Sequence, residues 1–165
     1  MLVYGALSFG YLFYLKASKG GAYYPDYITN LVANQAEVLL NGIGYKAEVQ
    51  PHPDEPSMKV IVEGKYVARI IEGCNGISVI ILFVSFIVAF SGRFKETFVF
   101  VLSGSVLIYT VNLVRIVIIA IGLFHYPWRR EMLHTVIFPA IIYGMVFLLW
   151  MFWVKRFATI HKNHV

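Results

Sequence analysis

FVFVLSGSVLIYTVNLVRIVIIAIGLF, Phe98 to Phe124, is the longest apolar run in the chain. As a helix it would be about 40 Å long at 1.5 Å per residue. A bilayer's hydrocarbon core is about 30 Å thick. A helix of this length must tilt or project from the membrane. The run is also interrupted once by strongly polar side chains, Asn112 and Arg115 in VNLVRIVIIA. An arginine at the centre of a membrane helix costs about 2.5–3.5 kcal/mol on insertion scales and is functional by default. Its bland alternative is snorkelling to the surface, which is strained about 13 Å from the end of the run unless the helix projects. Asn112 lies one turn earlier on the same face.

Three further apolar segments surround this one: Met1–Leu15, Gly76–Phe90 and Thr135–Val154. The first has no charge ahead of its apolar stretch, which argues against a signal peptide and for a first spanning helix. The second, extended from Cys74 to Ser91, would be about 26 Å long, barely enough to span. The fourth has the length needed to span. Composition agrees, since 59% of the 165 residues are hydrophobic, against about 45–50% in a soluble domain. The net charge of +5 is not gathered into an aromatic-interleaved basic patch, so nucleic acid is not an expected partner. One cysteine excludes an internal disulfide. His52, His125, His134, His161 and His164 are scattered without zinc-site spacing, so no metal and no organic cofactor is expected.

Lys16 to Gly73 is a polar stretch between the first two apolar segments. Within it, DYITNLVANQAEVLLNGIG predicts an amphipathic surface helix capped by Asp26 and ended by Asn41-Gly42. Ile28, Leu31, Val32, Leu39 and Ile43 would form its apolar face. KAEVQ, MKVIVE and YVARII read as short strands, PHPDEPS as a proline-rich loop, and EGKY as a two-residue turn. Gly64 would hold the first central position of a type II′ geometry in that turn. A small hairpin would then deliver the chain to Cys74. The fold class expected is an all-α polytopic membrane protein of about four transmembrane helices. It would carry a small outer-face subdomain, amphipathic helix plus β-hairpin. Residues 1–165 form one membrane-embedded domain, with 17–73 an extracytoplasmic insertion and 74–154 the helical core.

Charge sets the expected orientation. Arg93 and Lys95 join the second and third segments, and Lys155, Arg156 and Lys162 follow the fourth. Both groups belong in the cytoplasm by the positive-inside tendency, with the N-terminus also inside. Arg129 and Arg130 then sit outside, against the rule. Cys74, Arg115 and His134 consequently fall on the outer side. Alone, a cysteine near a helix end is most often a small apolar filler, and a boundary histidine an amphipathic interface residue. Together they make chemical sense. A thiolate is favoured at a helix N-terminus and beside cations, a Cys-His pair can form an acyl-enzyme on an amide, and a fixed arginine can hold the oxyanion. Glu72 and Asn75 are candidates to orient the other two, or are solvated interface residues. Gly76, Gly104, Gly122 and Gly144 permit close helix contact, an ordinary property of membrane helices.

EGCNG (Glu72–Gly76), NLVR (Asn112–Arg115) and His134 before the last apolar segment resemble the exosortase/archaeosortase family in order and spacing, over roughly Arg69 to Val154. The short chain resembles the small F-type subclass of exosortases. The resemblance implies a multi-pass cysteine transpeptidase or protease of the cytoplasmic membrane, its active site facing outward. Its partners would be membrane-anchored cargo proteins with a C-terminal sorting helix and basic tail. The cargo would be cleaved near a short motif and passed to a surface glycan or lipid acceptor. By the same carry-over, Cys74 is the nucleophile, Arg115 the stabiliser and His134 the acid/base. Gly73 and Asn75 stand where the family often has small residues and serine, and about four helices stand where many members have eight or so. A non-catalytic membrane assembly factor, with Arg115 paired to a partner carboxylate, is the alternative reading.

Overall fold

A computed structural model describes residues 2–18, 25–90, 94–129 and 138–155. Its elements are α1 (Leu2–Ser18), α2 (Tyr27–Gly42), β1 (Ala47–Pro51), β2 (Ser57–Val62), β3 (Lys65–Ile71), α3 (Ile77–Ala89), α4 (Phe94–His125) and α5 (Phe138–Trp153). Short 3₁₀ turns, Glu72–Cys74 and Pro127–Arg129, precede α3 and follow α4. The fold is mostly helical, but "all-α" understates it. The three strands form one antiparallel sheet in the order β1-β2-β3, rather than a hairpin alone. Among the described residues only α4 is both long and apolar enough to cross a membrane. Ile77–Ala89 and Pro139–Trp153 are shorter apolar helices, so four full-length spans are not established. His134, Arg93, Arg130, Arg156 and Lys162 lie outside the described residues.

Helix α4 serves two cores. Toward its C-terminal end Ile116, Val117, Ile119, Ala120 and Leu123 pack with α2 and the sheet. Toward its N-terminal end Ile108 packs with Phe83 and Ile87 of α3 and with Val146 and Trp153 of α5. The second half of the helix therefore projects into the subdomain, which resolves its excess length. From Phe94 to Asn112, α4 rises about 27 Å, close to one hydrocarbon core. The exterior of this lower half is apolar: Phe94, Phe98, Val99, Leu102 and Val106 are all exposed, and so are Phe147, Leu148 and Phe152 of α5. Exposed apolar surface so continuous marks a face turned to lipid.

Local chemistry builds the subdomain. Asp26 caps α2 as expected, its Oδ1 accepting from the backbone N–H groups of Ile28 (3.0 Å) and Thr29 (3.1 Å). The buried face of α2 differs from the expected one by roughly a quarter turn. Thr29, Val32, Ala33, Ala36 and Leu40 are buried, while Leu31, Leu39 and Ile43 are exposed. The small side chains Ala33 and Ala36 let the helix approach its neighbours closely, which a face of leucines would prevent. From its last turn, Asn41 Oδ1 accepts from Ala47 N–H and Nδ2 donates to Ala47 O, fixing the start of β1.

The β2–β3 turn is also displaced by one residue. Val62 pairs with Lys65, so Glu63 and Gly64 are the central residues, both with positive φ (51° and 75°). That is the pattern of a type I′ turn rather than II′. The core decides the register, because Met58, Val60 and Val62 all point inward, and a one-residue slip would turn them to solvent.

In the lower core, a Cβ on Gly104 would overlap the ring of the fully buried Phe83. At Gly144 nothing lies within 4 Å of the same position. Gly104→Ala should therefore lower stability by about 1–3 kcal/mol, and Gly144→Ala should leave it nearly unchanged. Thermal unfolding in one detergent compares the two, and equal effects would contradict the packing described.

Candidate functional site

Strand β3 runs directly into the turn that carries Cys74, a free and half-buried thiol. The chain then passes through Asn75 to Gly76, whose φ of +84° lies in the left-handed region that glycine alone adopts readily. A second constraint acts at the same position. A Cβ on Gly76 would sit 3.2 Å from both Cγ and Nδ2 of Asn112. The glycine thus turns the backbone and lets α4 come close.

Two asparagines hold this turn from opposite sides. Asn75 is fully buried. Its Oδ1 accepts from Ile77 N–H at 3.0 Å, closing a side-chain turn around Gly76 at the entry to α3. Its Nδ2 donates to Tyr11 Oη on α1 (2.7 Å) and to Thr29 Oγ1 on α2 (3.2 Å). Three helices meet at one carboxamide. On the other side Asn112 Nδ2 donates to the Cys74 carbonyl oxygen at 2.9 Å. Arg115 Nη1 donates to Asn112 Oδ1 at 3.3 Å. One side chain of α4 therefore joins the Cys74 backbone to the Arg115 guanidinium.

Of the three residues singled out from sequence, the fold brings Cys74 and Arg115 to the same junction, and His134 lies outside the described residues. Glu72 is half-buried in the turn itself. The role of Tyr11 and Thr29 was invisible in the sequence. A tyrosine in an aromatic-rich apolar segment and a threonine in a first helical turn have nothing to mark them. Asn112 did leave a signal, as a carboxamide one turn from an arginine within an apolar run. Two more ties hold α4 against the subdomain. Tyr109 Oη donates to Gln35 Oε1 at 2.6 Å, and Tyr45 Oη lies 3.0 Å from His125 Nε2. Among the described residues no group of three side chains could hold a metal ion.

The backbone of Cys74, on a glycine-dependent turn at the foot of an apolar helix, is thus joined through Asn112 to Arg115. The family model of the transmembrane exosortases, EpsH type, matches residues 5–155. The chain belongs to this family. No curated protein and no solved structure matches it.

Because Cys74 is the chain's only cysteine, any thiol label reports on this turn alone. Asn75→Ala removes the acceptor for Ile77 N–H and leaves the Tyr11 and Thr29 hydroxyls without their donor. It should cost about 1–3 kcal/mol of stability and speed iodoacetamide labelling of Cys74 in the still-folded protein. Tyr11→Phe should show the same direction with a smaller loss, about 0.5–1.5 kcal/mol. Wild-type labelling kinetics in both variants would mean that the network does not restrain the turn.

Proposed function

We propose that the chain is a membrane-embedded cysteine transpeptidase that cleaves the C-terminal sorting signals of exported proteins and transfers them to a surface acceptor. Family membership supports the general class. The observation that carries the finer reading is the shared contact of Asn112 with the Cys74 carbonyl and the Arg115 guanidinium. A guanidinium is a planar fork of five N–H donors, so anchoring Nη1 on Asn112 restrains the direction in which the rest can point.

In this reading the Cys74 end of α3 faces outward. The Cys74 thiolate attacks the carbonyl carbon of the scissile peptide, and the carbonyl oxygen becomes an oxyanion held by Arg115. The C–N bond breaks as His134, assigned on the family resemblance, gives a proton to the leaving amine. A thioester remains. An acceptor hydroxyl or amine then attacks it, His134 takes the acceptor's proton, and the Cys74 sulfur leaves. Water in place of the acceptor makes the same site a protease. No metal or organic cofactor takes part.

The test is a tagged exported reporter that ends in a polar segment, one apolar helix and a basic tail, taken from the host's own proteins. Wild-type cells should shorten it, and Cys74→Ser cells should leave it full length at equal enzyme level. Arg115→Gln should slow shortening on the order of 10²-fold, the usual cost of losing one oxyanion donor. Normal processing by Cys74→Ser, with loss only in Arg115→Gln, would instead favour a non-catalytic assembly factor that binds a partner helix.

A further inference from the structure

Helix α3 is bordered by two grooves of different character. Between α1 and α3, at the Cys74 end, lies a cleft of about 330 Å³ walled by Glu72, Gly73, Ser78, Ser8, Tyr11 and Leu12, among others. Tyr4 also lines this cleft and the next space along α3, of about 350 Å³, which Leu82, Ser85, Phe86, Ala89 and Phe90 complete. The two spaces form one path along α3. Across the ridge of Leu82 and Phe86, which it shares with that second space, a cleft of about 270 Å³ between α3 and α5 is completed by Tyr143, Val146, Phe147 and Trp150.

We propose that the substrate's membrane helix docks in the α1–α3 groove, with its polar outer end entering past Glu72 and Gly73 to reach Cys74. This rests on the transpeptidase reading and locates its substrate. Three observations carry it. The first is continuity, because Glu72 and Gly73 wall the groove and immediately precede the thiol residue. A chain seated there ends one residue short of Cys74, whose side chain packs against the subdomain core beside the groove's end. The α3–α5 cleft has no wall residue nearer Gly76 than Leu82, about 9 Å along the helix.

The second observation is the chemical gradient. The Cys74 end of the path offers a carboxylate and hydroxyls from Glu72, Ser8, Tyr11 and Ser78, while the far end is mainly apolar, made by Leu82, Phe86, Ala89 and Phe90 with Tyr4 and with Ser85, whose hydroxyl is bonded to the Ile81 carbonyl. A chain that changes from a polar segment to an apolar helix matches both ends. A phospholipid would bring its anionic phosphate against the Glu72 carboxylate. The third is fit: α3 is about 20 Å long, enough to run beside most of one spanning helix. Ser8, Ser85 and Ala89 are small, which favours close helix approach in a membrane.

The experiment uses the full-length protein in cells and the reporter whose Cys74-dependent shortening is described above. A photoreactive benzoylphenylalanine replaces Tyr4 or Leu12 on one groove, and Tyr143 or Phe147 on the other, in the Cys74→Ser background. Irradiation should cross-link the reporter's helix at positions 4 and 12 and not at 143 and 147. Separately, Ser8→Trp with Cys74 intact should raise the reporter's KM on the order of tenfold, as a loss of ground-state binding does. Iodoacetamide labelling of Cys74 should keep its wild-type rate, which separates blockage from misfolding. Cross-links confined to 143 and 147, an absence of cross-links at 4 and 12, or an unchanged KM in Ser8→Trp would overturn the groove while leaving the chemistry standing. A reporter left intact by the wild-type enzyme would overturn both.

Discussion

The hydrogen bond from Asn112 to the Cys74 carbonyl is the constraint on which the arrangement depends. Asn112 is buried in a helix that is otherwise apolar around it. A carboxamide without partners there would cost several kcal/mol, so its bonds to Cys74 and Arg115 restrict how α3 can meet α4. The same register propagates along the pair. Gly76 stands against Asn112, and Phe83, seven residues on in α3, stands against Gly104, eight residues back in α4. The polar junction and the lower aromatic core are thus two readings of one antiparallel helix contact. A slip of either helix would place a side chain where each glycine is needed.

Asn112 also marks where α4 changes neighbours. Ile108, one turn before it, belongs to the core shared with α3 and α5, and Ile116, one turn after, belongs to the core of the subdomain. Arg115 sits on the subdomain side of that division. The expense expected of an arginine deep in an apolar run is reduced, because one face of the far end of that run is covered by α2 and the sheet, while Val114 and Ile118 stay exposed. The subdomain is therefore more than an appendage to the helices. It gives α4 a place to continue, and through Thr29 it reaches back to the turn bearing the thiol.

Much of this was readable from residue order, and the failures have physical causes. The Asp26 cap, the strands and the entry of the chain into Cys74 all follow from local signals. The β-turn was misplaced by one residue because a glycine beside a polar residue fits either central position, and only the inward demand of Val60 and Val62 chooses. The face of α2 was misplaced because alanines score weakly as apolar yet pack closely, whereas Leu31 and Leu39 score strongly and remain exposed. At the site, Cys74 and Arg115 could be selected by type and Asn112 by its oddity. The bond between Asn112 and Cys74 spans 38 positions in sequence, and the one between Tyr11 and Asn75 spans 64. Such pairings depend on how helices assemble, which no local pattern encodes.

Helix α3 has only 13 residues, a rise of about 20 Å beside a hydrocarbon layer of about 30 Å. A short helix cannot tilt its way out of that deficit. Were α3 to cross the membrane, the surrounding lipid would thin, or the polar ends would sink below the headgroups. Either response would draw water and phosphate groups inward at the ends of this one helix, the Cys74 end among them. On the proposed transpeptidase reading, the thiol would then stand in a dimple of the membrane surface, where an aqueous acceptor and a lipid-embedded chain could meet at the same depth.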